Sequence, residues 1–353
     1  MKKIKGLSLF ANVGIAETYL KDVGFDVVVA NELLPNRANF YSHSHPKCDI
    51  VCGDITKDEI FNEIIKKSKT HNIEFILATP PCQGMSKAGK MDENDPRNIL
   101  ITKVVQAALE LKPKLIVIEN VPQMLKTFIL VKNKPVLIVD YLNEKFAKNY
   151  NLYFDIFDAA DHGTAQTRKR AIIRIVKKEF TVSSPVNQKR LTVEEKIGDL
   201  PSLNPGEKSS IPHHNAKVHN KNHILWMSNT PTGKTAMDNL IHYPKKESGQ
   251  KIKGFKTTYK RMRWDAPAPT ITMANGSVSS QNNVHPGRLL KNGTYSDARV
   301  LTLLELFRLT GLPDNWSIPD NVNENLVRQV IGEAVPPQLM LAIFKTIPKK
   351  LFE

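Results

Sequence analysis

A chain of 353 residues, 41% apolar and 24% charged, is longer than one small domain and too ordinary in composition for a collagen-like, disordered or low-complexity protein. It holds no run of about 18 apolar residues, so no membrane span or membrane partner is expected, and three cysteines are too few for a disulfide framework, which points to a reducing, cytoplasmic setting. Its 50 Lys+Arg against 35 Asp+Glu leave a formal charge of +15, an excess that suits a polyanionic partner.

Gly6–Phe10 reads as a strand, Val27–Ala30 as a second and Asp49–Cys52 as a weaker third; Phe75–Ala78 and Leu115–Ile118 follow. Between the last two, Ile101, Val104, Val105, Ala108 and Leu111 fall on one helical face. Short apolar strands alternating with helices predict a Rossmann-like, doubly wound α/β sheet covered on both faces. Phe154–Phe157 and Ala171–Ile175 predict a late hairpin that makes the sheet mixed. From Thr181 to Ala298 the regular pattern stops. That stretch has 17 Lys+Arg against 8 Asp+Glu, six of the ten histidines, and turn signals at Asn204-Pro205-Gly206, Pro231-Thr232-Gly233 and His285-Pro286-Gly287. It reads as an irregular basic insert, and a helical tail follows it.

Ligands of a doubly wound sheet bind beyond the carboxyl ends of its strands, so the residues after each strand define the candidate site. The Phe10–Gly14 turn follows the first strand, Asn31-Glu32 the second, Asp54-Ile55 the third. A glycine-bearing turn with an acid 22 residues after Phe10 suits a nucleoside, whose ribose hydroxyls Glu32 would accept. After the fourth strand comes Pro80-Pro81-Cys82; two prolines stiffen the loop and hold a thiol at the sheet edge, where a thiolate is a competent nucleophile. Cys48 and Cys52 read as inert, and Cys48-x3-Cys52 lacks the second ligand pair of a zinc site. No metal site is expected. Gly233-Lys234-Thr235 lacks the earlier glycine and the preceding strand of a phosphate loop, and His213, His214, His219 and His223 have no carboxylate or thiol companions.

Pro80-Pro81-Cys82-Gln83-Gly84-Met85-Ser86, then Glu119-Asn120-Val121, then Gln166-Thr167-Arg168-Lys169-Arg170, in that order and spacing, resemble the cytosine-5 DNA methyltransferase family of the bacterial restriction–modification type. Leu9–Gly14 resembles its cofactor turn, Arg299–Thr302 through Leu309–Asp314 its late helix motif, and Ile331–Pro336 its last one; the likeness covers about residues 5–175 and 299–345. It implies the S-adenosylmethionine-dependent methyltransferase fold with a smaller, irregular DNA-recognition domain. Residues 1–180 would hold cofactor and catalytic groups, 181–298 would recognise the target, and 299–353 would brace the hinge and return a C-terminal helix to the first domain.

The resemblance further implies that S-adenosylmethionine is held by Phe10, Asn12, Gly14, Glu32, Asp54, Ile55, Leu100 and Glu333. Cys82 would attack C6 of cytosine, Glu119 would contact N3 and the exocyclic amine, Arg168 would hold the base carbonyl and Arg170 would support it. Gln83, Ser86, Gln166 and Thr270 would touch DNA. The implied partners are double-stranded DNA and a cognate restriction endonuclease. Asn12, Ile15 and Asn98 stand where the family has glycines, and Glu333 stands where it has Asn or Asp, which sets a negative charge near the donor's methionine end. An RNA-directed relative would share the catalytic set, but its Cys-Phe-Thr signature is absent. A catalytically silent DNA-binding homologue is opposed by the intact Cys82, Glu119, Arg168 and Arg170.

Overall fold

The computed structural model describes residues 3–81, 100–132 and 134–353. In chain order the strands are β1 Ile4–Leu9, β2 Phe25–Glu32, β3 Asp49–Cys52, β4 Phe75–Ala78, β5 Leu115–Asn120, β6 Phe128–Val131, β7 Lys134–Leu137, β8 Tyr150–Asp158 and β9 Lys169–Lys177. The helices are α1 Pro35–Ser44, α2 Asp58–His71, α3 Leu100–Leu111, α4 Ile138–Phe146, α5 Val193–Ile197, α6 Lys221–Ser228, α7 Leu303–Thr310, α8 Glu324–Glu333 and α9 Pro337–Lys345. None of the described helices is long and apolar enough to cross a membrane.

Seven strands form one sheet in the order β3-β2-β1-β4-β5-β9-β8, and β6 with β7 makes a separate two-stranded ribbon. The first five are parallel; β9 runs antiparallel to both β5 and β8, so the expected hairpin closes the sheet and makes it mixed. The chain winds outward from β1 in one direction through β2 and β3, then crosses back to β4. That reversal opens a crevice at the ends of β1 and β4. The turn after β1 and the loop after β4 both leave from it.

One face of the sheet is covered by α2, α3 and α4 through Phe61, Ile64, Ile65, Ile101, Val104, Val105 and Leu142. Asp58 and Glu59 in the first turn of α2, with Lys69 and His71 in its last, complement the helix dipole, and Asn72 ends it in the left-handed region. The opposite face is covered by α9 and the final turn. Phe344 and Phe352 meet Phe25 edge to face at 4.8 and 5.5 Å, and Phe344 meets Phe75 at 5.6 Å. Each such pair contributes about 0.5–1.5 kcal/mol beyond its area.

Residues 181–298 contain only short helices and isolated bridges. Part of the stretch has its own small core of Trp226, Met227, Ala236, Tyr259, Val278, Val284 and Ala298, closed by Val300. Its backbone is held by a buried guanidinium instead of a ladder: Arg261 donates to the carbonyls of Met227, His285, Ser296 and Asp297. Buried carbonyls need such donors when no strand supplies them. A further cluster spans the junction, with Val13, Ile15 and Phe40 from the sheet side, Val193, Ile197, Met262 and Ile271 from the basic stretch, and Leu306, Phe307, Val330 and Ile331 from α7 and α8.

Candidate active site

The β1 turn is built against backbone preference. Phe10 and Asn12 take φ of 61° and 51°, and Gly14 takes 78°. A bulky residue in the left-handed region stores strain, and such strain gathers at ligand sites. Gly14 is required as well by space, since a Cβ there would lie 2.2 Å from the His45 ring. The turn is fixed by Glu32, which is the last residue of β2 and not a loop residue after it, because it pairs with Cys52 in the ladder. Glu32 Oε2 accepts from the Asn12 amide at 2.9 Å, and Oε1 accepts from the Leu34 amide at 3.0 Å. Glu32→Ala leaves both amides without their acceptor and is expected to lower stability by about 1–3 kcal/mol, read from urea unfolding.

Asp54 Oδ1 accepts from the amide and hydroxyl of Thr56 at 2.9 and 2.8 Å, and these bonds hold its carboxyl below the ordinary value. Ile55 is buried in the core, while Phe10 and Leu100 are partly exposed on the edge of the same core. Thr79 donates to the Phe10 carbonyl at 2.9 Å and so joins the β1 turn to the loop after β4.

Glu119, also a strand-end residue, is 6% exposed. Burial pushes its carboxyl up from the ordinary value, against the pull of Arg170 and Arg168. Arg170 Nε lies 2.8 Å from Glu119 Oε1. Arg168 is drawn the other way: its Nη1 donates to the Ile271 carbonyl at 2.9 Å, and its Nη2 donates to those of Gly332 and Glu333 at 2.9 and 3.0 Å. The resemblance placed Arg168 at the base and Arg170 behind it; in the structure Arg170 pairs with Glu119, and Arg168, just before β9, bonds the backbone carbonyls of Ile271, Gly332 and Glu333. Gly332 makes that junction possible, since a Cβ would meet the Thr272 backbone at 2.3 Å. Asn120, part of the Glu119-Asn120-Val121 motif but assigned no role from the sequence, donates to the Pro80 carbonyl at 3.0 Å and anchors the start of the Pro80-Pro81 loop on β5. Cys82, Gln83 and Ser86 lie outside the described residues.

Gln166, expected at the DNA, is 1% exposed, and its Oε1 accepts the Ile271 amide at 3.0 Å, which helps to seat the basic stretch. Thr270 is exposed and donates to the Thr167 carbonyl at 2.7 Å. Cys48 is pushed up to about 12 by burial and by the Glu17 charge. His214 is buried between Thr302 and the Pro201 carbonyl, and His219 accepts the Val300 amide. Among the described residues no group of three or more His, Cys, Asp or Glu is placed to hold a metal ion.

Glu333, expected as a negative charge near the donor's methionine end, has partners from three segments. Its carboxylate is compensated: Arg37 Nη1 lies 2.8 Å from Oε2, and Nη2 donates to Oε1 at 3.1 Å. Asn12 Nδ2 donates to Oε2 at 3.3 Å and Gln329 to Oε1 at 3.2 Å. The two departures at Asn12 and Glu333 thus bond to each other.

The chain is similar to known proteins over nearly its whole length. The family model for C-5 cytosine-specific DNA methylases matches residues 4–349. The chain is 50% identical over 351 residues to the Type II methyltransferase M1.HgaI of Avibacterium volantium, covering 98% of both chains. It is 28% identical over 351 residues to M1.HphI of Haemophilus parahaemolyticus, covering 97% of this chain and 86% of that one. Among solved structures, a prophage-encoded protein of E. coli described as a DNA modification methyltransferase superposes with a TM-score of 0.72 at 20% identity, covering 99% and 100% of the two chains. A DNMT2 variant of Spodoptera frugiperda gives 0.63 at 16% identity, with 99% of each chain covered; at these identities the likeness concerns the fold. This chain belongs to the C-5 cytosine-specific DNA methylase family and is a DNA cytosine-5 methyltransferase.

Proposed function

We propose that the chain transfers the methyl group of S-adenosylmethionine to C5 of one cytosine, flipped out of a specific duplex sequence, in the cytoplasm, as the protecting partner of a restriction endonuclease. The observation that carries the chemistry is the buried Glu119–Arg170 pair at the end of β5, beside the Asn120-anchored loop that leads to Cys82. The restriction–modification role is supported by the Type II name of the relative that matches 98% of the chain.

The residues of the β1 turn fit the donor. Asn12 Oδ1 is buried with no hydrogen-bond partner among the described residues, so the turn keeps an acceptor in reserve. Phe10 would stack on the adenine, Glu32 would accept from the ribose hydroxyls with its remaining lone pairs, and Asp54, Ile55 and Leu100 would frame the base. Gly14, Asn12 and Glu333 would line the methionine end. When bound, the donor supplies an electrophilic sulfonium methyl.

On the other side, a base inside a duplex is out of reach and must leave the stack. The Cys82 thiolate adds to C6 while Glu119, kept protonatable by burial, delivers a proton to N3, and the ring becomes an enamine nucleophilic at C5. C5 would take the methyl with S-adenosylhomocysteine leaving; a base then removes the C5 proton, the C6–S bond breaks, the thiolate leaves and N3 returns its proton to Glu119. Arg170 would hold Glu119 and the base carbonyl in one plane. Residues 181–298 would read the target as a recognition domain, with Thr270, Gln83 and Ser86 near the flipped nucleotide and 299–353 bracing the hinge. Bisulfite sequencing of plasmid recovered from an expressing strain should show protected cytosines in one sequence context. Full conversion of every cytosine, or methyl transfer to tRNA and not to duplex DNA, would refute the reading.

A further inference from the structure

An uncompensated carboxylate at position 333 would oppose an anionic ligand end, yet this chain keeps a glutamate there. The structure shows what accompanies it. Arg37, from the first turns of α1, reaches the end of α8 and grips both oxygens of Glu333, at 2.8 and 3.1 Å. The pair is largely shielded, with side chains 13% and 23% exposed, so its charges act at low dielectric. Asn12 Nδ2 bonds the same carboxylate, which fixes the left-handed residue of the β1 turn. Gln329, one turn earlier on α8, completes the set. The backbone of 332 and 333 meanwhile receives Arg168.

From this geometry we infer that Arg37 is a positioning residue for the methyl donor: it cancels the Glu333 charge and, through that carboxylate, holds Asn12, so that the turn accepts a zwitterionic amino-acid end bearing a carboxylate. The inference rests on the reading of the β1 turn as the donor site. With adenosine toward Phe10, Asp54 and Leu100, the other end of a ligand lying along the turn reaches Asn12 and Glu333. Arg37 itself touches only Glu333 in this account; its effect on the ligand is carried by charge and by the turn. A purely structural ion pair would act on every ligand of the turn alike. Charge cancellation acts only on a ligand with the amino-acid end.

Calorimetric binding of two unreactive probes separates these cases. S-adenosylhomocysteine carries the amino-acid end; 5′-methylthioadenosine does not. Arg37→Ala is expected to weaken S-adenosylhomocysteine by about tenfold or more, in the range for hydrogen bonds and charges lost near a charged group, and to leave 5′-methylthioadenosine within about twofold. Glu333→Gln in the Arg37→Ala background removes the uncompensated charge and should restore most of the loss. If Arg37→Ala does not fold, the double variant, which buries no unpaired charge, remains the test and should bind S-adenosylhomocysteine nearly as the parent does. Equal weakening of both probes, or a loss that Glu333→Gln does not relieve, overturns the inference. Phe10→Ala serves as the control on the site itself. If it leaves both probes unchanged, the donor-site reading has failed; if it weakens both while Arg37→Ala weakens neither, only the role of Arg37 has failed.

Discussion

Duplex DNA carrying 5-fluorocytosine at the target position will remain attached to this protein through denaturing electrophoresis when S-adenosylmethionine is present. In the proposed mechanism the bond from Cys82 to C6 breaks only after a base takes the C5 proton, and fluorine cannot leave as a cation, so the reaction would stop after methyl transfer. Cys82→Ala should remove the adduct and lower turnover by about 10³-fold or more, while DNA affinity stays close to the parent's. The other two cysteines do not compete. Burial and the Glu17 charge push the Cys48 thiol up to about 12, and Cys52 is raised as well, by burial and by Glu32. Neither belongs to the loop that Asn120 anchors at Pro80. Peptide mapping of the adduct to Cys48 or Cys52, or full activity in Cys82→Ala, would refute the proposed mechanism.

Legibility in the sequence followed burial. β4 begins and ends where its apolar run does, and it is buried along its whole length. β2 and β5 run two residues past their apolar runs, since Asn31-Glu32 and Glu119-Asn120 stay in the ladder opposite Val51-Cys52 and Ile172-Ala171. Polar residues at a strand end look like loop until their partners are known. The two arginines of Gln166–Arg170 could not be told apart for a related reason. They are two residues apart, and what separates them is Ile271 and Gly332, more than 100 residues away. Glu333 read as a repelling charge because its counter-ion sits 296 residues earlier in the chain. Chemistry confined to a short motif was visible; compensation between distant segments was not.

Arg299→Ala is expected to cost about 3–5 kcal/mol, the range for stranding buried charges, and so to remove much of the stability of a fold that commonly has 5–15 kcal/mol. Arg299 is fully buried. It donates to both Glu305 oxygens at 2.9 Å, to Asp297 at 2.8 Å and to the Leu203 carbonyl at 3.0 Å, so one guanidinium joins the basic stretch to α7. Glu305 closes the capping box of that helix with Thr302, which a mispaired carboxylate would disturb. Burial alone would raise Glu305 and Asp297, but Arg299, His285 and their hydrogen bonds carry Glu305 down to about 2 and Asp297 below its ordinary value. His285, pushed down to about 4 by burial, stays neutral between them. All three depressed values have the same sign of linkage: their contribution is present at neutral pH and is lost on acidification, first as unfolded His285 takes its proton below about 6.5, then as Glu305 is protonated between 4.5 and about 2. Without Arg299 the Glu305 carboxyl rises and acid relieves its buried charge. The stability gap between parent and variant, measured by urea unfolding, should therefore be widest near pH 7 and shrink toward pH 4. A gap below about 1 kcal/mol at pH 7, or one that does not change with pH, would show that the guanidinium does not hold this junction by charge.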